Sequence, residues 1–398
     1  MSRIIIQNGN MCELDLPLKF AQKLYNEFAI RHPNAFYLRT RQRGMQNWDG
    51  KIHYITKTGQ FKIGLLPKVY DMCIEMGIKP KVVDMRQPLP KVSKVVTNIG
   101  KYKLRPEQEK AVKAVINNKI GNTPFHIGVL DYTVNAGKTL IMSSLYLSYK
   151  KQLKTLLITN DSDWLNQARE EFKQYLPGED ITFVQGKVLN WSNFTIGMVQ
   201  SISRNMRFYQ KELSQIDMVL VDEADQGGSK QYQNVITRLF NTRIRIGLSG
   251  TIYMSKLAKD KVKNMNLECF FGKVIAEFKL KDSIKKGYST KTVVKMVPGK
   301  PWYGNWESDC ISYKEIYDDS ITNCYTAWLM AYNRLLWNLN QGRYPALVVC
   351  KHIAHCENLY KFFKKKLGDA YNIAYVHVNT PSKLRQQIMK DFREGKID

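Results

Sequence analysis

The spacing of hydrophobic and polar positions changes character along the chain, and the changes mark its divisions. Residues 1–95 read as a small α+β unit. Across Leu16–Ala29 the apolar residues Leu18, Phe20, Ala21, Leu24 and Phe28 fall roughly on one helical face. Short β-like runs follow at Phe36–Arg41, Lys51–Thr56 and Phe61–Gly64, separated by Gly44, Gly50 and Gly59. A second amphipathic stretch, Pro67–Met76, ends at Gly77, a residue suited to a helix C-cap. Arg86–Val95 carries Pro88 and Pro90 without a period and reads as a linker.

From about 96 to 290 apolar β-rich runs alternate with helical segments. Strands are expected at Phe125–Leu130, Thr155–Thr159, Ile181–Val184, Thr195–Val199, Met218–Val221 and Ile244–Leu248, with helices such as Lys138–Lys150 and Ser162–Gln174 between them. This alternation predicts a parallel sheet covered on both faces. Beyond Lys291 lies a tryptophan- and tyrosine-rich segment, then a long helical stretch over about Tyr313–Leu339. A strand–helix–strand pattern follows at Ala346–Cys350, Ala354–Lys366 and Ile373–His377, the opening of a second α/β domain with too few strands to close a core. The expected division is therefore 1–95, 96–290 and 291–398.

Composition narrows the partners. An apolar content of 44% against 24% charged residues is globular and excludes disordered and collagen-like chains. Stretches such as Ala346–Cys350 fall far short of the ~18–20 residues a bilayer needs, so no membrane partner is expected. Residues 1–8 have no apolar core for a signal peptide. Seven scattered cysteines give no disulfide framework, which points to a reducing, cytoplasmic setting. The 61 Lys+Arg against 35 Asp+Glu give a net charge of +26 and point to a polyanion, nucleic acid first.

Two motifs turn that charge toward an enzyme. Thr133-Val134-Asn135-Ala136-Gly137-Lys138-Thr139 follows a strand and opens a helix, a place where backbone N–H groups and the helix dipole favour a triphosphate. Lys138 would reach the β/γ-phosphates and Thr139 would take one position on Mg2+. The strict phosphate-loop pattern has glycine where this chain has Tyr132. Further on, the apolar run Met218–Val221 leads into Asp222-Glu223-Ala224-Asp225. Asp222 can hold Mg2+ through water, and Glu223 can orient and deprotonate the attacking water. Either motif alone has an ordinary explanation, a strand-to-helix turn or a solvated acidic loop. Together, each at the C-terminal end of a parallel strand, they predict one ATP site. Ser249-Gly250-Thr251 ends a further strand and could bond the Asp222 and Glu223 carboxylates. In Leu104-Arg105-Pro106-Glu107-Gln108 the Gln108 amide suits the edge of an adenine.

This ordered set resembles the superfamily 2 helicases and translocases over roughly residues 96–398. Leu104–Gln108 resembles their Q motif, and the phosphate loop, Asp222–Asp225 and Ser249–Thr251 resemble motifs I, II and III. Thr155–Gln167 is similar to the motif Ia region, Ile196–Ser201 to Ib/Ic and Ala346–His352 to motif IV. Although residues 222–225 spell Asp-Glu-Ala-Asp, Asn160–Trp164 and Ser-Gly-Thr sit closer to DNA translocases than to RNA-type DEAD-box proteins. Phe36-Tyr37-Leu38-Arg39 and Asn47–Ile52, leading to Gly64–Pro67, resemble the first domain of the tailed-phage UvsW helicases, which remodel branched DNA.

The resemblance implies an α/β fold, with a RecA-like motor domain, a small α+β domain before it and an incomplete second RecA-like domain after it. It implies an ATP-dependent DNA helicase or branch-migration translocase of phage replication, recombination or repair, with ATP and Mg2+ as cofactors. The nucleotide would lie among Arg105, Gln108, Asn135, Ala136, Gly137, Lys138 and Thr139, the metal between Thr139 and Asp222, and hydrolysis would be coupled through Ser249, Gly250 and Thr251. DNA, single-stranded along the motor face and duplex, forked or branched elsewhere, would meet Gln200, Ser201, Lys351 and His352. In the first domain it would meet Arg39, Arg41, Arg43, Trp48 and Lys51. Residues 1–100 hold 16 Lys+Arg against 7 Asp+Glu, an excess of +9. Trp48 could equally be core, and the arginines a solvated strand face.

Motifs V and VI do not occur up to Asp398, so residues 1–398 alone are expected to bind ATP, hydrolyse it weakly and unwind nothing productively. Two other readings share the motifs: the motor subunit of a restriction or nuclease complex, and an ATP-switched DNA-binding scaffold. Cys350, His352, His355 and Cys356 have soft-ligand chemistry, but they straddle a strand end and a helix start. Trp302–Trp306 is either a packed hinge or a DNA contact, and Lys361–Lys366 reads as a solvated helix face.

Overall fold

The computed structural model describes residues 2–41, 44–149, 152–186, 188–252, 260–291, 293–294, 296, 312–343 and 345–398. Arg43 and the Trp302–Trp306 patch lie outside them. The chain forms two compact units, Met1–Lys291 and Thr292–Asp398.

The first unit is built on an eight-stranded sheet. Its order is Val188–Leu189, Ile181–Gln185, Phe194–Met198, Thr155–Thr159, Met218–Asp222, Ile244–Ser249, His126–Tyr132 and Val274–Phe278. Seven strands run parallel; only the short edge strand Val188–Leu189 pairs antiparallel. The continuous apolar runs of the sequence arise because both faces are buried. Val129, Leu156 and Val219 enter one core, while their neighbours Leu130, Leu157 and Leu220 enter the other. Helices Pro106–Ile116 and Lys138–Ser148 cover the second face.

Residues 1–84 cover part of the first face, together with helices such as Lys230–Ile236 and Lys261–Phe271. Strands Gln60–Lys62, Met11–Asp15, Arg3–Ile6 and Lys81–Asp84 form a four-stranded sheet in that order. Ile4, Ile6, Leu66 and Val69 share one core with Ile127, Val129, Val221 and Phe271 of the motor sheet. The backbones come close at Gly64, where any Cβ would overlap the Glu268 carbonyl oxygen. At the centre of this junction the Arg245 side chain is fully buried. It donates to Gly9 O (2.6 Å), Asn10 Oδ1 (2.8 Å) and Phe270 O (3.1 Å). Burial, with Arg86 nearby, pushes its guanidinium down to about 9.

One expected strand is a helix. Residues Ala35–Arg41 form a short α-helix, opened by a hydrogen bond from Ala35 N to His32 O. The β-like composition of Phe36–Arg41 does not reflect a buried strand face: Phe36 and Tyr37 are both exposed, on adjacent helical positions. The segments Lys51–His53 and Gln60–Lys62 do form strands.

In the second unit, helices Tyr325–Asn340 and Ile353–Leu367 pack through Trp328, Tyr332, Leu335, Leu359 and Phe363. Residues 346–350 and 373–377, expected as strands, form no ladder hydrogen bonds and are not strands. A parallel strand gains its stability from lateral pairing, and these two segments do not pair with each other. Among the described residues no helix is long and apolar enough to cross a membrane.

Candidate nucleotide and DNA sites

The candidate nucleotide site is assembled at the C-terminal tips of three adjacent strands. His126–Tyr132 leads into the phosphate loop, Ile244–Ser249 lies beside it, and Met218–Asp222 is next. The loop turns through two left-handed residues, Asn135 (φ 63°) and Gly137 (φ 73°), before Lys138 starts its helix. Gly137 is required twice over, by that φ and because a Cβ would overlap the Gln108 side-chain nitrogen. Lys138 Nζ lies 3.6 Å from Asp222 Oδ1 and 3.5 Å from Glu223 Oε1. The three predicted catalytic groups therefore converge.

Their environments differ in a useful way. Asp222 is buried, and burial raises its carboxyl above the usual carboxylate range, opposed by Lys138 and reinforced by Glu223. Its Oδ1 makes no hydrogen bond. Glu223 is half exposed and held at φ 51°, which turns it out of the strand.

Gln108 takes a part different from adenine reading. Its Oε1 accepts from Arg105 N (2.8 Å) and its Nε2 donates to Ala136 O (2.9 Å), with 1% of the residue exposed. The amide caps the Pro106–Ile116 helix and holds the phosphate loop. Arg105 also reaches the loop, donating from Nη2 to Asn135 O (3.1 Å) while its guanidinium stacks 4.2 Å from the Tyr288 ring centre. Tyr132, the residue that breaks the glycine pattern, is wholly buried and donates its hydroxyl to Glu107 O (2.8 Å). The substitution ties the Q-motif helix to the strand beneath the loop.

The third motif bonds a different carboxylate from the pair expected. Ser249 Oγ donates to Asp225 Oδ1 (3.0 Å), not to Asp222 or Glu223, and also receives Thr251 N (3.2 Å). Asp222 is turned toward Lys138, which leaves Asp225, on the turn after the strand, as the acceptor. Gly250 packs against Tyr132 O and Thr133 Cα, so motifs I and III touch through backbone. From Asp225 the contacts run outward: Asn160 Nδ2 donates to Gln226 Oε1 (3.0 Å), and Gln200 Nε2 donates to Asn160 O (3.3 Å). Sequence reasoning placed Asp225 in motif II and Asn160 in the motif Ia region without giving either a bonding role, and passed over Gln226.

Residues 101–254 match the family described as type III restriction enzyme, res subunit, and residues 329–398 match the helicase conserved C-terminal domain. The ATP-dependent DNA helicase uvsW of Enterobacteria phage T4 is 21% identical over 393 residues, covering 88% of this chain and 70% of that protein. The chain is an ATP-hydrolysing DNA helicase of superfamily 2. Its fold is that of two solved structures of bacteriophage T4 UvsW. One is 20% identical with a TM-score of 0.55, covering 70% of this chain and 99% of the other. The second is 19% identical with a TM-score of 0.54, covering 99% and 78%.

On the DNA side the helicase distributes the expected residues unevenly. Gln200 and Ser201 face inward: Ser201 is buried and accepts from Gly186 N (2.9 Å). Trp48 is half-buried, donates its indole N–H to Lys51 O (2.8 Å) and meets His32 edge-on. Arg39, Arg41 and Lys51 are exposed. In the second unit Lys351 sits over the Tyr313 ring at 4.3 Å, and His352 meets Tyr317 edge-on at 4.8 Å. Among the described residues no group of three His, Cys, Asp or Glu side chains stands close enough to hold a metal by itself.

Proposed function

We propose that the helicase unwinds or branch-migrates forked and junction DNA in phage replication, recombination or repair. Residues 1–95 engage the DNA, 96–290 form the ATP-binding motor, and 291–398 form a linker and the start of a second motor domain. The convergence of Lys138 with Asp222 and Glu223 carries the ATP part of this reading. The similarity to uvsW across 88% of the chain supports the DNA part.

The phosphate-loop amides and Lys138 bind the triphosphate, and the half-exposed Glu223 takes a proton from the attacking water. Asp222 and Thr139 suit Mg2+: the buried Asp222 Oδ1 accepts no hydrogen bond, and the Lys138 ammonium 3.6 Å away leaves it capacity for a second cation. The metal, once bound, would neutralise charge developing on the phosphates. Ser249 and Asp225 then pass the state of motif II to the Gln226–Asn160–Gln200 chain. Stimulation of ATPase turnover, compared across single-stranded, blunt duplex, forked and four-way DNA, tests the reading. Forked and four-way DNA should stimulate most; equal stimulation by single strands would overturn the junction assignment.

A further inference from the structure

The helix Ala35–Arg41 buries Ala35 and turns its two aromatic residues outward, Phe36 72% and Tyr37 59% exposed. The two rings meet edge to face with centres 5.8 Å apart, and the Arg41 guanidinium lies 5.7 Å from the Tyr37 ring. Beside Phe36 opens a cleft of about 530 Å³ lined also by Arg31, Arg39, Thr40, Asp49 and Lys51.

Its charge is mainly positive, three cationic side chains against the one carboxylate of Asp49. Between Glu27 and Asp71 the only carboxylate is Asp49, and it is engaged by His53 Nε2 (2.6 Å) and Lys51 N (2.9 Å). Trp48, bonded to Lys51 O, shapes the adjoining turn and presents no free face of the kind Phe36 and Tyr37 present. Adjacent aromatic faces beside a cationic cleft match a nucleobase flanked by phosphates, because any base can stack and the guanidinium and ammonium groups hold the backbone.

We infer that Phe36 and Tyr37 form a stacking platform for an unpaired base at a DNA branch point, with Arg39 and Lys51 holding its flanking phosphates. The proposal rests on the reading that residues 1–95 contact DNA. It adds which DNA feature they recognise: the splayed base, to which a paired stack gives no access.

The test uses the full chain and a fork with 2-aminopurine as its first unpaired base. Binding should change the probe's fluorescence sharply, as stacking does. Phe36→Ala/Tyr37→Ala should lose that signal and bind the fork about tenfold or more weakly, while affinity for blunt duplex changes less than about threefold. Phe36→Tyr and Tyr37→Phe, which keep both rings, should retain the signal and so separate stacking from a folding defect. An unchanged signal in the double alanine variant, or equal losses on fork and duplex, overturns the platform. If the unmodified residues 1–95 contact no DNA in crosslinking to the same fork, the underlying reading falls and the platform with it.

Discussion

Among the described residues, Asn135 and Glu223 are the non-glycine residues with left-handed backbone, and both line the nucleotide site. Such conformations cost on the order of 1–3 kcal/mol each and persist where surrounding structure enforces them. At Glu223 the twist lifts the carboxylate out of the strand to meet Lys138 beside Asp222. Glu223→Gln should therefore keep ATP binding and lose turnover by roughly 10²–10⁴-fold, whereas Lys138→Ala loses both, as equilibrium nucleotide binding and phosphate release will show. Asp222 illustrates a conflict between stability and chemistry. Its raised folded-state pKa means that the fold binds this proton more tightly than the unfolded chain does. Stability from this group therefore falls as pH rises above 3.8 through the raised value, and the full penalty stands at neutral pH. Asp222→Asn should abolish hydrolysis yet raise the melting midpoint of the nucleotide-free protein by about 1–3 °C at pH 7, a gain that shrinks in acid. The proposed catalytic residues were legible because Asp222 and Glu223 end an apolar strand, and Lys138 opens a helix one short loop after another. What Gln108 and Ser249 bond was not, since those partners, Ala136 and Asp225, come from other elements.

At the level of elements, the site is a set of strand tips linked by side-chain amides. The Pro106–Ile116 helix is tied to the phosphate loop by Gln108 and Arg105 and to the strand below by Tyr132. Motif II is tied through Gln226 to Asn160 and Gln200, beside the region expected to track DNA. Gln226→Ala should leave DNA-free ATPase turnover near its original value and cut the fold-stimulation by DNA several-fold; an ATPase titration with DNA measures both. Six strands of the motor sheet were readable to within a residue or two, because burial on both faces demands continuous apolar runs; the two edge strands, Val188–Leu189 and Val274–Phe278, were missed, since an edge strand lacks such a run. The helix Ala35–Arg41 was misread because six residues are too few to carry a helical period, and exposed aromatics at its start give the run a β-like composition. Residues 346–350 have the composition of a buried strand, yet pairing, which composition does not record, decides whether a strand forms.

For the first unit as a whole, the decisive feature is a single core spanning residues 1–84 and the motor sheet. Sequence suggested a separable domain, since a linker-like segment with two prolines follows it. The signal pointing the other way was Arg245, an arginine inside an otherwise apolar central strand, which must be buried and must find acceptors. Arg245→Met would strand Gly9 O, Asn10 Oδ1 and Phe270 O, at ~1–3 kcal/mol for each buried acceptor left unpaired. Hydrogen exchange across residues 3–15 should accelerate in that variant well before the central strands are affected. Arg39→Ala/Arg41→Ala should weaken DNA binding and lower the slope of log affinity against log salt by about 2. The consequence of the Arg245 junction is mechanical. Because the leading residues are welded to the motor sheet instead of hanging from a flexible leash, any movement of that sheet carries them along undamped, and a strand held by them would be ploughed forward in step with fuel consumption.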